Sequence, residues 1–125
     1  MARKIKIYKA DIVFSQFIRT RDNWTCVACG NRFYPPDTQG LDCSHYWGRA
    51  RWRTRFDTEN CDSLCVSCHF KWGGDGRYLY EEFKKKQLGT SGFNALMVRA
   101  HTYKKKDWEM ALIEAEQLLG GVKEK

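Results

Sequence analysis

The sequence predicts a small α+β fold: a four-cysteine zinc ribbon around a short strand, with a helix before it and further helices after it. Three observations carry this expectation. Two Cys-x-x-Cys turns, Cys26/Cys29 and Cys65/Cys68, stand far apart in the chain. Apolar residues recur at helical spacing over Ile12, Val13, Phe14, Phe17 and Ile18 ahead of the first turn. Beyond Tyr78 the turn-rich sequence gives way to helical patterns punctuated by glycines.

Taken in order, residues 1–8 alternate basic and apolar (Arg3, Lys4, Ile5, Lys6, Ile7) and read as an arm or an edge strand. Asp11 suits a helix N-cap, because its short acceptor can satisfy free backbone N–H groups, and that helix should close at 21–23. Pro35-Pro36-Asp37 marks a loop. Residues 41–47 read as a short strand and 62–65 as a short connection into the second cysteine turn. Between them lies an arginine-rich loop, 48–56. A helix is expected after Cys68, interrupted by Gly73-Gly74-Asp75-Gly76; a second runs over 78–87 and stops at Gly89. Residues 92–100 and 106–119 complete the helices, the last ending at Gly120-Gly121. At 125 residues the chain suits one domain, with 10–90 as its core and 91–125 as a helical extension.

With 42% hydrophobic and 30% charged residues, the chain can bury a core and is expected to fold. No run of residues is apolar enough for a membrane span, and the basic N-terminal segment has no signal-peptide core. A cytoplasmic, reducing location follows as an expectation, and there paired cysteines more often bind zinc than form disulfides. A four-thiolate site from Cys26, Cys29, Cys65 and Cys68 leaves no open coordination position, so that zinc would be structural. Cys43 and Cys61 fall outside the pairs and read as small buried hydrophobes. The net charge of +7 points to a polyanion, with nucleic acid the usual one.

The informative runs are Asp42-Cys43-Ser44-His45-Tyr46-Trp47-Gly48-Arg49, then Asn60, then Leu64-Cys65-x-x-Cys68-His69. Here the sequence resembles the HNH endonuclease family in its zinc-ribbon form, with His45, Asn60 and His69 at the three signature positions. The stretch Phe14-Ser15-x-x-Ile18-Arg19-x-Arg21-Asp22-x-Trp24-x-Cys26 is similar to phage and prophage relatives, including nicking endonucleases and NinG-type recombination proteins. The resemblance implies a ββα-metal core and hydrolysis of DNA phosphodiester bonds. It implies His45 as general base, His69 as ligand of a divalent ion, and Asn60 as organiser of the hairpin. A neutral imidazole suits water activation, and magnesium or manganese suits charge neutralisation at the phosphate.

One departure stands out: Ser44 occupies the position before the base where many members carry a metal ligand. Asp42 is the nearest carboxylate, on the strand face of Ser44 but about 7 Å further along, and is carried as the second ligand. Asp57 and Glu59 are fallbacks, read as loop and capping residues. If the loop is extended, Arg49, Arg51, Arg53 and Arg55 share a face and can grip consecutive phosphates. Lys71, Arg77 and the N-terminal basic residues would extend that track, while the runs 84–86 and 104–106 read as exposed helix faces. Phosphate contacts carry no base information, so nicking with weak sequence specificity by a monomer or weak homodimer is expected. The alternatives are a non-catalytic zinc-ribbon module binding nucleic acid, and a recombination nuclease directed at DNA junctions.

Overall fold

The computed structural model describes residues 5–36 and 38–123. Arg3 and Lys4 of the expected basic arm and Asp37 of the expected loop lie outside them. Among the described residues the fold is mixed α+β, with five helices and one two-stranded sheet. The elements are α1 (Lys9–Arg21), β1 (Leu41–His45), α2 (Trp52–Arg55), β2 (Cys61–Cys65), α3 (Val66–Gly73), α4 (Arg77–Ala100) and α5 (Trp108–Lys123). Residues 5–8 form neither strand nor helix.

Several sequence expectations change. The N-cap of α1 is Tyr8; Asp11 sits three residues inside, and its carboxylate accepts the Tyr8 backbone N–H at 2.8 Å. The expected connection over 62–65 is instead β2, antiparallel to β1 with Leu41 opposite Cys65 and His45 opposite Cys61. Helix α3 begins at Val66, so Cys68 and His69 are already helical. The loop after Gly48 is not extended, because Trp52 to Arg55 close a helical turn. A tertiary contact explains this: Trp52 and Phe56, one helical turn apart, both pack on Trp108 of α5. Helix α5 continues through Gly120 and Gly121 to Lys123, its Ala115 buried and Leu118, Leu119 and Val122 packed with Phe14 and Phe17 of α1. Gly89 does break α4, with φ 73° and ψ 167°, a conformation that favours glycine.

All five residues of β2 are buried, so the sheet is covered on both faces. One face lies under α1, where Ser63 Oγ donates to the Ile18 carbonyl and Cys43 and Cys61 join Phe14 and Ile18. The end of α1 is fastened by Arg19 Nε donating to the Leu41 carbonyl at 2.7 Å and Asp22 accepting the Ser63 N–H at 2.9 Å. The other face lies under α4. There Tyr80 Oη donates to Ser44 Oγ at 3.0 Å, and Lys84 Nζ meets Asp62 Oδ2 at 2.7 Å, both charged side chains fully buried. Lys84 therefore leaves the exposed lysine run in which the sequence places it. Asp57 and Glu59 are both held by Arg99, at 2.8 Å each.

A buried charge is costly once its partner is lost. Lys84→Met should therefore destabilise the fold by about 3–5 kcal/mol in urea unfolding, by stranding the Asp62 carboxylate. Lys85→Met, at a half-exposed pair with Glu81 on the same helix, should cost no more than about 0.5 kcal/mol. Equal losses would mean that the Lys84–Asp62 pair carries no special weight.

Candidate functional site

The four paired cysteines converge. The Sγ atoms of Cys26, Cys29, Cys65 and Cys68 lie within 4.8 Å of one another, and Cys29 and Cys65 approach to 3.8 Å. Local backbone sets this up. The Gly30 N–H donates to the Cys26 carbonyl at 2.9 Å, and Gly30 takes φ 78°, closing a knuckle that turns both thiols inward. The Val27 N–H donates to the Ser63 carbonyl at 3.0 Å and ties this knuckle to β2. The second pair straddles the β2–α3 junction. Burial pushes the Cys65 thiol up, but the Cys68 backbone N–H and the side chains of Ser67, Cys68 and Cys29 outweigh it and hold Cys65 near 6. The cluster can hold a metal ion, and four thiolates at this spacing suit a closed tetrahedral site.

Asp42 and His69 also meet. His69 Nδ1 stands 2.9 Å from Asp42 Oδ2, and both side chains are over a third exposed. They border a shallow pocket of about 480 Å³ that Val66, Phe70, Gly73 and Gly74 complete. Phe70 projects from it with 85% of its surface exposed. Two protein donors leave most coordination positions to water and phosphate oxygens, which suits magnesium, an ion that dehydrates reluctantly.

His45 is elsewhere. Side chains alternate along a strand, so Asp42 and Ser44 face α3 and α4 while Cys43 and His45 face α1. His45 Nε2 donates to the Arg55 carbonyl at 2.9 Å, which leaves Nδ1 as the lone-pair nitrogen, buried and without a hydrogen-bond partner. Burial, followed by the nearby Arg49 guanidinium, pushes the His45 pKa down to about 3, so the ring is neutral at physiological pH. Asn60, fully buried, accepts the Trp47 N–H at 2.8 Å and donates to the carbonyls of Trp47 (2.9 Å) and Thr54 (3.0 Å). It clamps the chain just after His45, and its own carbonyl accepts the Tyr46 N–H.

The four arginines do not share a face. Arg55 is buried, pairing with both oxygens of Asp11 at 2.8 Å and donating to the Lys6 carbonyl. Arg49 is half-buried beside Asp11 at 3.9 Å. Arg77, expected to extend a phosphate track, stacks 3.8 Å from the centre of the Tyr46 ring and donates to its carbonyl. Arg51 and Arg53 instead line grooves with Lys104, Lys105 and Lys106, of about 720 and 850 Å³. That meeting of the loop with the lysine run is the site feature the sequence did not reveal, since only the fold brings residue 53 to residue 104. A smaller cluster, Cys43 and Cys61 with His45, was signalled only by the Cys43-x-His45 spacing.

Comparison with protein-family models, with curated proteins and with solved structures gives no match. No described helix is long and apolar enough to cross a membrane.

Structural metal sites contribute on the order of 10 kcal/mol to folding, so chelation should melt the Cys26–Cys68 ribbon. Near-ultraviolet circular dichroism of the chelated protein is expected to lose its fine structure and regain it on adding zinc. Cys29→Ser should reproduce the chelated spectrum. A spectrum unchanged by full metal removal would show that the cluster is held by packing alone.

Proposed function

We propose that the chain is a divalent-metal-dependent DNA endonuclease, stapled by zinc at the four thiolates, that nicks duplex DNA with little sequence preference. The observation that carries this reading is the state of His45: one ring nitrogen is fixed on the Arg55 carbonyl, and the other keeps a free lone pair on a neutral ring. A residue that takes a proton from an attacking water needs a neutral ring with a free lone pair, and its pKa near 3 makes this one a weak base. The HNH-like register of His45, Asn60 and His69 supports the same conclusion. When bound by His69 and Asp42, magnesium or manganese would neutralise phosphoryl charge and assist the leaving oxygen. Asn60 positions the base by fixing the turn behind it. Arg51, Arg53 and Lys104–Lys106 hold the phosphate backbone. Arg55 and Asp11 are positioning residues, since the Arg55 carbonyl sets the His45 tautomer.

A second reading, a zinc ribbon that binds nucleic acid without cutting it, is favoured by one observation. His45 and the Asp42–His69 pair emerge on opposite faces of the sheet. The two readings part in a nicking assay with supercoiled plasmid and zinc left in place. Accumulation of open circles with magnesium or manganese supports the nuclease, and intact plasmid under conditions of proven binding supports the ribbon module. His45→Ala is expected to bind DNA as the parent does and to lose nicking.

The pH profile adds an independent check. With its pKa lowered to about 3, His45 stays in its basic form as pH falls through the ordinary histidine range. With magnesium saturating at every pH, so that loss of the ion does not set the rate, kcat/KM should show no acid limb near 6.5. A limb there would remove His45 from the role of base. Replacing Lys104, Lys105 and Lys106 with alanine should flatten the dependence of log affinity on log salt by about 0.9 per lost phosphate contact. An unchanged slope would place the DNA on another surface.

A further inference from the structure

The face of the sheet that packs on α1 carries a second constellation of soft donors. Cys43 and His45 project from β1 on one side, and Cys61 lies directly across from His45 on β2. The two sulfur atoms and a ring nitrogen all lie within 4.8 Å of one another. A tetrahedral zinc ion with zinc–sulfur bonds of about 2.3 Å sets its sulfur ligands about 3.8 Å apart, so a small contraction would close the three donors around one ion.

The immediate surroundings point the same way. Metal-ligating histidines usually hold their second ring N–H on a carbonyl or carboxylate, and Nε2 of His45 does so on Arg55. Nδ1 is then an acceptor buried without a partner, an expensive condition that packing alone does not explain. Two thiolates and a neutral imidazole cancel the charge of one divalent ion, leaving no net buried charge. The donor set has no carboxylate, so magnesium and calcium are poor candidates and thiophilic cations good ones.

We propose that Cys43, Cys61 and His45 form a second metal site, selective for a thiophilic cation of the zinc type. A filled site occupies the imidazole lone pair, so it would also silence His45 as a base. The site stands on its own donors; only that regulatory consequence rests on the nuclease reading.

The test uses the full chain, reduced with a non-coordinating phosphine and titrated with Zn2+. At saturating Zn2+, native mass spectrometry should count one ion fewer in Cys43→Ala/Cys61→Ala than in the wild type, since the four-cysteine cluster and the Asp42–His69 pair are common to both chains. Equal counts in the two chains would overturn the site. A wild-type mass showing a Cys43–Cys61 disulfide with one ion would overturn it too. Cobalt substitution of the wild type covers the case in which the variant fails to fold. The second equivalent should add a thiolate-to-cobalt band weaker than the first, as expected from two sulfurs rather than four; no added band counts against the site. In the plasmid assay with magnesium, the second zinc equivalent should abolish nicking by the wild type. Nicking that persists with the second ion bound would refute the regulatory step alone. A chain that binds two ions but never nicks would refute the nuclease reading and leave the site intact.

Discussion

Two five-residue strands joined across a long connection make a sheet that cannot stand alone in water. In this chain the constraint is sharper still, because β2 is buried along its whole length although it includes Asp62 and Ser63. Every buried polar group there needs a partner brought from far along the sequence. Asp62 receives Lys84, Tyr80 and Gln87 from α4, and Ser63 receives Ile18 and Asp22 from the α1 side. The four-thiolate cluster closes the sheet at the Cys65 end, and the Asn60 clamp closes it at the His45 end. Covering this hairpin is the task that orders the rest of the molecule.

Coverage on both sides divides the chemistry. The α1 side is dry and positively biased, with thiols, a neutral imidazole, and arginines held by Asp11. The α3 side opens to solvent at Asp42 and His69, where a hard cation with its waters has room. Soft and hard donors thus sit on opposite faces of one thin sheet. Loss of the Arg55–Asp11 pair would act on the soft face, since that pair fixes the carbonyl that chooses the His45 tautomer.

What could be read from the sequence follows how local each signal is. The cysteine knuckles, α1 and the break at Gly89 depend on spacing within a few residues, and all three appear in the structure. The strand β2 was read as a connection because Asp62 and Ser63 look solvent-directed until residues 18, 22 and 84 arrive. The alternation of arginines over 49–55 suits an extended loop only if nothing else bends it; the helical turn comes from Trp52 and Phe56 docking on Trp108, more than fifty positions away. Asp11 looked like a cap because Asp commonly is one, yet its carboxylate serves Arg55 as well as Tyr8. Of the candidate site, strand alternation puts Asp42 on the face away from His45, while the direct contact of Asp42 with His69 depends on where α3 packs.

A base with a pKa held near 3, as in His45, is weak, chiefly because burial disfavours its charged form and next because of the Arg49 guanidinium. A phosphate beside Arg49 would relieve only the second of these. The same ring, with a nitrogen within 4.8 Å of two thiols, is a good ligand for a soft cation whether or not phosphate is present. On the proposed reading, proton and metal would compete for that one nitrogen.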